Sequence, residues 1–561
     1  MSTINPSIAM LRNLTFLYVI LGGSAFAQAG GESTIHYELN GNVDDHIGTN
    51  CANLGDLDGD GVADFVVSNI DNAGNDGDLR IYSGATGNLL YFLDGYEARN
   101  HTLAGGYDLD GDGVPDFMIG TFRGPFVSDG MVRIFSGKTG GVMRTIEGPE
   151  IINLFGGAML MVSDLNGDGE VDLVIQESLA DNLPGDNVGA IHFYTKEGIR
   201  FRTIYGVGDT EFFGSALADM GDMNGDGTTD ILVGTEGFDA DRGSVDLYSG
   251  ADGVRLMHLV GEEQGDGFGQ QLVPLDDLNE DGVRDFATSA WLKNRPNNPG
   301  RNEGSVYVIS GADGQVLRQH WGSVANESFG YSMTGSGDVD GDGFADYLVA
   351  SKADGNNRSG FVTLFSGKTG IPLDIYSTTV PGLAPEQELG RAMAMLDDFD
   401  ADGRREVLIC NPGGGSAAAV AGGAVFRYSF DPQISISSYT ASAANGEVLS
   451  IDLDFPLSAA NTNYKILVSA AGYGPITYGV PIPLSVDSFA SQSYAGIYPF
   501  AVHSNMQSLL DAQGNATASV TIPSGLSPSL IGQSLYFAAI VEPIGQLPTM
   551  ASSPLPLTIL P

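Results

Sequence analysis

The residues of this sequence most able to do chemistry are acidic side chains that recur in a fixed pattern. The pattern is D-x-[DN]-x-D-G-x-x-[DE], and it occurs seven times, once every 52–61 residues. In the first copy, positions one, three, five and nine are Asp56, Asp58, Asp60 and Asp64. Calcium prefers about six to eight oxygen ligands, and alternate side chains of a tightly wound loop can all face one ion. Each loop is therefore predicted to bind one calcium ion, up to seven in total.

The other six copies repeat this ligand set with small changes. Asparagine stands at position three in three of them, and glutamate stands at position nine in the last. Position six is glycine in every copy, as a sharp backbone bend requires. Magnesium suits such loops less well because it gives up its water reluctantly. The predicted ligands of these copies are Asp108, Asp110, Asp112, Asp116; Asp164, Asn166, Asp168, Asp172; Asp222, Asn224, Asp226, Asp230; Asp277, Asn279, Asp281, Asp285; Asp338, Asp340, Asp342, Asp346; and Asp398, Asp400, Asp402, Glu406.

The elements around each loop must be strands. Position twelve is apolar or threonine in every copy, so the bidentate glutamate of an EF-hand is absent. Each loop instead runs into a short apolar segment, which predicts a strand buried on both faces. An apolar strand precedes each loop, often after an F-G pair, and a G-x-V strand, a Ser-Gly turn and a last strand follow. Four strands in each repeat are typical of a propeller blade.

These motifs resemble the FG-GAP repeats of the integrin α-subunit N-terminal propeller, over about residues 34–430. The resemblance implies a seven-bladed β-propeller with calcium between the first and second strands of its blades. Two departures stand out. All seven repeats carry a loop, whereas integrin-like propellers usually carry it in only some blades. The first two repeats also lack a clean F-G pair and have Ile47-Gly48 and Leu103-Ala104 instead.

The two ends of the repeat region are predicted to pair. The seventh repeat has no fourth strand after residue 430. Residues 34–41 stand before the first loop in the place where the other loops are preceded by the fourth strand of the repeat before them. We expect this segment to join blade seven and close the ring, which removes two exposed sheet edges.

Residues 431–561 differ in character, since acidic loops end and short alternating strands appear. They are predicted to form a smaller antiparallel β-sandwich domain, either a docking module or a passive cap. The expected fold class is all-β.

Residues 1–27 are predicted to be a signal peptide. Arg12 precedes an apolar run, and Ala25-Phe26-Ala27 has the form of a cleavage site, so cleavage is expected before Gln28. The run is too short to span a membrane, and no later stretch is long enough. The mature protein is therefore expected to be secreted, periplasmic or at the cell surface, with no transmembrane span.

Composition excludes one class of partner. With 25 Lys and Arg against 70 Asp and Glu, the formal net charge is -45, which repels nucleic acid. Of the 2 cysteines, Cys51 falls at a core position of its repeat. Whether it pairs with Cys410 stays open, although blades one and seven are expected to be neighbours.

The seven loops are not expected to bind calcium equally. Copies one, two and six offer four carboxylates and are predicted to bind most tightly, because affinity rises with ligand charge. Copy seven has Arg404 and Arg405 beside Glu406 and is predicted to be weakest. Copy five is weakened by Glu280, which stands where most copies have glycine.

The predicted function is a non-catalytic binding or adhesion scaffold for an extracellular protein or glycan. No catalytic motif is present, and nearly all clustered acids are explained as calcium ligands. The alternative is an extracellular polysaccharide hydrolase or lyase built on a propeller. Binding is expected on the face opposite the calcium loops. The alternative for the candidate side chains there is ordinary loop packing. These candidates are Phe122, Arg123, Phe126, Trp291 and Arg295.

Overall fold

A computed structural model describes the chain in segments. They are residues 32–41, 46–69, 77–94, 101–121, 130–149, 154–182, 187–208, 212–296, 300–323, 325–340, 342–352, 360–377, 388–398, 404–413 and 423–431, and shorter pieces of the tail at 434–436, 440–442, 447–454, 461–469, 475–478, 480–483, 503–504, 507–512, 515–522, 534–542, 550–551 and 555–560. The predicted signal peptide lies outside these residues. Within them, no helix has the length and apolar character needed to cross a bilayer.

The repeat region consists of seven four-stranded antiparallel sheets. Its strands, in chain order, are β1 (Glu32–Asn40), β2 (Ile47–Gly55), β3 (Asp64–Asn69), β4 (Asp78–Tyr82), β5 (Leu89–Asp94), β6 (His101–Tyr107), β7 (Asp116–Thr121), β8 (Met131–Phe135), β9 (Val142–Glu147), β10 (Phe155–Val162), β11 (Asp172–Glu177), β12 (Ala190–Thr195), β13 (Arg200–Tyr205), β14 (Ala216–Asp219), β15 (Ile231–Thr235), β16 (Ser244–Tyr248), β17 (Arg255–Val260), β18 (Phe268–Pro274), β19 (Phe286–Ala290), β20 (Ser305–Ile309), β21 (Val316–Trp321), β22 (Ser332–Gly337), β23 (Asp346–Ser351), β24 (Phe361–Phe365), β25 (Pro372–Ser377), β26 (Met393–Met395), β27 (Val407–Asn411) and β28 (Ala424–Asp431).

Each blade uses four strands that are consecutive in the chain, except the last. Blades one to six are β2–β5, β6–β9, β10–β13, β14–β17, β18–β21 and β22–β25, and blade seven is β26, β27, β28 and β1. One short helical segment, α1 (Phe238–Asp241), lies between β15 and β16. The predicted all-β, seven-bladed architecture is therefore confirmed.

The second strand of each blade forms the core, as its apolar run predicts. Phe65, Val66 and Val67 of β3 are each 0% exposed. Such strands pack against the neighbouring blades on both faces, which explains why the sequence shows a continuous apolar run instead of alternation. The same complete burial holds for residues 117–119, 173–175, 231–233 and 347–349.

The predicted closure of the ring is also confirmed. Strand β1 pairs antiparallel with β28, from Glu32 opposite Asp431 to Asn40 opposite Ala424. The N-terminal strand thus supplies the fourth strand that repeat seven lacks, and both ends of the repeat region are held by one ladder of hydrogen bonds.

The F-G and G-x-V motifs meet across the seams between blades. Gly243 and Gly304, which begin third strands, form parallel bridges with Phe268 and Phe329 of the following blade. A Cβ on Gly243 would lie 1.9 Å from the Phe268 carbonyl oxygen, so only glycine permits this approach. The bridge between Gly423 and Ile47 makes the same contact where blade seven meets blade one.

One detail of the repeat alignment was wrong. Strand β6 places Leu103 opposite Ile119, as β2 places Cys51 opposite Val67. Leu103 therefore holds the core position, and Leu103-Ala104 is not the counterpart of the F-G pair. That counterpart falls at residues 99–100, outside the described segments.

Arginines tie several blades together at the opposite end of the seams. Arg144 of blade two donates to the Lys196 carbonyl of blade three, and Arg202 of blade three donates to the Gly250 carbonyl of blade four. Arg318 of blade five donates to the Gly367 carbonyl of blade six. Each acceptor lies in the turn between the third and fourth strands. Each guanidinium therefore supplies a hydrogen-bond donor to a carbonyl that no strand ladder reaches.

Blade seven makes this contact from a different strand. In blade five, Arg318 on the fourth strand lies opposite Val308 on the third. In blade seven the arginine, Arg427, is on the third strand, opposite position 37 of β1. Arg427 is 0% exposed and donates to the Gly84 carbonyl of blade one. The borrowed strand β1 brings no arginine, and the adjacent strand supplies it.

The tail forms separate sheets. Its strands are β29 (Ile434–Ile436), β30 (Thr440–Ser442), β31 (Glu447–Asp454), β32 (Asn463–Ser469), β33 (Pro475–Tyr478), β34 (Val480–Pro483), β35 (His503–Ser504), β36 (Gln507–Leu509), β37 (Asn515–Ile522), β38 (Ser534–Glu542), β39 (Met550–Ala551) and β40 (Leu555–Leu560). One sheet has the order β29-β31-β37-β35, and another has β30-β40-β38-β32-β36 with β39 beside β38. Strands β33 and β34 pair with each other. The β-sandwich and the domain boundary at residue 431 stay predictions.

The buried arginine at the ring seam gives a stability prediction. Arg427→Met is expected to lower the free energy of unfolding by about 2 kcal/mol, because the buried Gly84 carbonyl loses its donor. Thermal unfolding at fixed calcium measures the change. Arg200→Met is the matched control, since Arg200 is exposed on β13. Equal destabilisation by the two substitutions would contradict a special role for Arg427.

Candidate metal centres

The acidic loops are wound around their first carboxylate. Asp56 Oδ1 accepts hydrogen bonds from the backbone N–H groups of Gly59 at 2.7 Å and Asp60 at 3.1 Å, and its Oδ2 accepts one from Gly61 at 2.9 Å. Gly61 has φ +90°, as its predicted role in a sharp bend requires. In copies two to six, position one likewise accepts the N–H of the position-six glycine at 2.6–2.8 Å.

The carboxylate at position nine lies at the centre of each site. Asp64 is 0% exposed. Its Oδ2 accepts the N–H of Leu57 at 2.8 Å, and its Oδ1 accepts the N–H of Gly84 at 2.9 Å. Gly84 belongs to the turn between β4 and β5, so this side chain joins the loop to the outer hairpin of the same blade. The sequence predicted only a metal ligand here.

The same double role recurs around the ring. In four further copies, one oxygen of position nine accepts the N–H of loop position two, and the other accepts the N–H of the turn glycine. These distances lie between 2.8 and 3.1 Å for Asp116, Asp230, Asp285 and Asp346. The distance in sequence from position nine to the turn glycine is 20 or 21 residues in copies one, two, four and six and 26 in copy five. This near-constant spacing was the sequence signal that could have shown the link.

Three copies bring their carboxylates together closely enough for one cation. Positions one, three and nine each offer one oxygen, and the three oxygens lie within 4.8 Å of one another. This holds for Asp56, Asp58 and Asp64; Asp108, Asp110 and Asp116; and Asp338, Asp340 and Asp346. These are copies one, two and six, which the sequence predicts to bind most tightly. Position five is outside these clusters, and in copy one Asp60 lies 3.5 Å from the Ser83 hydroxyl.

Copies three to five differ at position three. The amide nitrogen of Asn166 donates to Asp172 at 3.0 Å. Those of Asn224 and Asn279 donate instead to position five, Asp226 at 2.9 Å and Asp281 at 2.8 Å. The amide oxygen of each asparagine accepts the N–H of position five at 2.8–3.0 Å, and its second lone pair is a neutral donor for a cation. The position-one residues of these copies are Asp164, Asp222 and Asp277, and position five of copy three is Asp168.

Copy seven is described only in part. Asp400 and Asp402 lie outside the described residues. Asp398 and Glu406 are described, and Glu406 is 0% exposed, as position nine is in the other copies. The longer side chain therefore occupies the same buried place.

The pKa values of the loop carboxylates shift in both directions, through burial and through backbone hydrogen bonds. Burial raises the pKa of Asp64 to about 6. In copy six, burial and the nearby Asp342 raise the pKa of Asp340 to about 7. At position one of copy two, desolvation acts to raise the pKa of Asp108, but four backbone N–H donors outweigh it and lower the pKa. Close carboxylates of this kind are the ligands that a hard divalent cation stabilises.

Lysines approach two of the three four-carboxylate sites. Lys138 Nζ lies 3.8 Å from Asp112 Oδ2 and donates to the Asp112 carbonyl at 3.3 Å. Lys368 donates to the Asp342 carbonyl at 3.4 Å. Copy one has Ala85 at the corresponding place in its turn. Since a nearby ammonium repels a divalent ion, these contacts predict that copy one binds such an ion more tightly than copies two and six.

Position four explains the weakness expected of copy five. Gly59, Gly111, Gly167 and Gly225 have φ between +79° and +85°, a region that favours glycine. Glu280 holds the same position with φ +60°. An ordinary side chain there costs about 1–2 kcal/mol of backbone strain.

A polar cavity of about 350 Å³ opens among the first strands of blades one, five, six and seven. Its lining residues are Asn50, Cys51, Gln270, Gln271, Tyr331, Ser332, Met333, Arg391, Ala392 and Met393. Many of them lie at or before the start of their strands, whereas the acidic loops follow the ends of those strands. Gln270 Oε1 is buried and has no hydrogen-bond partner within the described segments.

Aromatic and cationic side chains surround Tyr331 beside this cavity. Trp291 packs against the Tyr331 ring with centroids 5.9 Å apart. Lys352 Nζ lies 4.9 Å from the centre of the Tyr331 ring, and the Arg391 guanidinium carbon lies 5.8 Å from it. Arg391 also forms an ion pair of 2.9 Å with Glu388. Sequence reasoning named Trp291 but missed the other members, because they come from the connections of three different blades.

Of the other four predicted partner residues, the structure describes only Arg295. Phe122, Arg123 and Phe126 lie outside the described residues. The guanidinium of Arg295 donates to the Gly322 carbonyl at 2.8 Å and lies 5.8 Å from the centre of the Trp321 ring. Arg295 therefore joins the connection between β19 and β20 to the end of β21, and its role in partner binding stays a prediction.

Comparison with known proteins identifies similar chains among integrins. Integrin alpha-V of Gallus gallus is 28% identical over 221 residues, which is 35% of this chain and 20% of the relative. Integrin alpha-5 of Xenopus laevis is 32% identical over 167 residues, 29% of this chain and 16% of the relative. Integrin alpha-PS2 of Drosophila melanogaster is 26% identical over 263 residues, 44% of this chain and 18% of the relative. The chain therefore matches one fifth or less of each relative's length.

No protein-family model matches the chain. A solved structure described as "Structure of Dos1 propeller" aligns with a TM-score of 0.38 and 13% identity, over 65% of this chain and 74% of that one. The blade topology, the repeated loops and the integrin similarity lead to one conclusion. This chain carries a seven-bladed propeller that is similar to part of the integrin alpha chains.

Proposed function

We propose that this protein is an exported, calcium-binding propeller that acts as a non-catalytic scaffold for an extracellular protein or glycan. One observation carries the proposal. Clustered carboxylates occupy loops that follow the first strands of the blades, and a polar cavity with aromatic and cationic neighbours lies among first strands of blades one, five, six and seven. The loops suit stabilising ions, and the cavity suits recognition.

The donor set of the loops fits calcium. In copy one, Asp56, Asp58 and Asp64 offer carboxylate oxygens that lie within 4.8 Å of one another. Oxygen donors in a loop closed by backbone hydrogen bonds are what calcium binds, and thiolate or imidazole ligands are absent from these motifs. Bound calcium would offset the repulsion among these carboxylates.

The cavity supports binding better than catalysis. Its described lining residues include amides, a hydroxyl, an arginine and a tyrosine, and none is Asp, Glu or His. The close pair of His192 and Glu177, at 2.8 Å, is 1–2% exposed inside blade three and out of reach of a polymer. The hydrolase or lyase alternative therefore has no convergent acid and base at this cavity.

Calcium removal is the first test of the loops. Each site held at about 100 times its Kd stabilises the folded protein by about 2.7 kcal/mol, so chelation should lower the melting temperature substantially. Scanning calorimetry in calcium, in magnesium and in EDTA measures this. We expect calcium to stabilise more than magnesium. An unchanged melting temperature across the three conditions would contradict the calcium sites.

The strain at copy five gives a second prediction. Glu280→Gly is expected to raise the free energy of unfolding by about 0.5–1 kcal/mol and to tighten calcium binding at that loop, because glycine tolerates φ +60°. Glu280→Gln is the matched control, since it removes the charge but keeps the strained side chain. If both substitutions tighten binding equally, charge and not strain weakens this copy.

Ligand screening tests the scaffold itself. The mature protein is applied to glycan and protein arrays in calcium and in EDTA, alongside Arg391→Met and the exposed control Arg200→Met. We expect binding that is lost in EDTA and reduced at least about tenfold by Arg391→Met, equivalent to about 1.4 kcal/mol. Release of shortened products from a polysaccharide would overturn the non-catalytic assignment.

A further inference from the structure

The only 2 cysteines of the chain lie beside each other at the seam where the ring closes. Cys51 is on β2 of blade one, opposite Val67, and Cys410 is on β27 of blade seven, opposite Val425. They are far apart in the sequence, and they meet because blade seven returns to blade one.

The two cysteine side chains lie close to each other. Cys51 packs against the cluster of buried residues that contains Cys410 and spans the seam. The Cys51 thiol is also near enough to contribute to the raised pKa of Cys410. The backbone of β2 also approaches Cys410 closely, since a Cβ built on Gly48 would lie 3.0 Å from the Cys410 Cβ. A disulfide requires Cβ atoms about 3.5–4.5 Å apart, which neighbouring strands in contact can provide.

The two cysteines differ in access. Cys51 is partly exposed and lines the 350 Å³ cavity, whereas Cys410 is 0% exposed. Burial and the neighbouring thiol raise the pKa of Cys410 well above its ordinary value. A dissolved oxidant therefore meets Cys51 first.

We propose that Cys51 and Cys410 form a disulfide that locks blade seven to blade one. A low-molecular-weight disulfide, such as oxidised glutathione, is the oxidant. The Cys51 thiolate, its proton released to solvent, attacks one sulfur of that disulfide, so a mixed disulfide forms and one thiolate leaves. Cys410 then loses its proton as its sulfur attacks Cys51, and the second thiolate leaves. The protein loses two electrons and two protons, and the oxidant becomes two thiols.

This bond would act independently of the other contacts at the seam. Strand β1 joins the ends by hydrogen bonds, and Arg427 joins the blades through a turn carbonyl. A covalent link between β2 and β27 would constrain the unfolded chain over most of the repeat region, which stabilises the folded ring. The proposal concerns the thiols alone and does not depend on calcium or on a ligand.

Peptide mapping after oxidation is the test. The mature protein in saturating calcium is incubated with oxidised glutathione, denatured with an alkylating agent present, digested and analysed by mass spectrometry. We expect a Cys51–Cys410 cross-linked peptide with a mass 2 Da below that of the two thiol peptides. Full alkylation of both cysteines, or only a glutathione adduct on Cys51, would overturn the proposal.

A melting experiment gives an independent readout. The oxidised wild type is expected to melt several degrees higher than the same protein treated with dithiothreitol. Cys410→Ala is the control, because blade six has Ala350 at the corresponding position and the substitution should fold. This variant should show no response to the reductant. An equal response in the variant would mean that the reductant acts elsewhere.

Discussion

Closure of the ring is the constraint on which the rest of this propeller depends. Every blade buries its second strand on both faces, so every blade needs a neighbour on each side. Blades one and seven find theirs only in each other. Without the pairing of β1 with β28, the third strand of blade seven would expose an edge, and the chain ends would be free to separate. It is consistent with this that the seam carries the bridge from Gly423 to Ile47, the fully buried Arg427 and both cysteines.

The acidic loops add contacts inside the blades. In blades one, two, four, five and six, the carboxylate at position nine holds the loop through position two and the outer hairpin through the turn glycine, as Asp64 does with Leu57 and Gly84. The Gly84 carbonyl in turn accepts from Arg427 of the preceding blade. One turn thus joins an acidic loop, its own hairpin and the neighbouring blade. The loops are part of the framework of the ring as well as candidate cation sites.

Periodic features of the fold could be predicted from the sequence, and contacts between repeats could not. The apolar runs after the loops, the glycine at position six and the missing strand of repeat seven each leave a local pattern. The structure confirms the buried strands, the closing strand and, in copies one to six, the positive φ of the glycine. Arg427 leaves no local sequence pattern, because blade seven alone carries its seam arginine on the third strand instead of the fourth. The group of Trp291, Tyr331 and Lys352 could not be predicted either, since these residues come from different parts of the chain that meet only in the folded ring. The blade-two error had a related cause, because Leu103 matches the local motif while its register places it elsewhere.

The two faces of the propeller are joined by the first strands. In blade six, Tyr331 lies beside the cavity immediately before β22, and Asp338 of the acidic loop follows the end of that strand. Strand β22 is six residues long, so the two sites lie about 20 Å apart on one rigid element. In the proposed function, a cation bound in the loop would fix one end of this strand, and the other end would position a residue of the cavity. Ligand binding that depends on calcium would then need no contact between ion and ligand, because both sites share one strand.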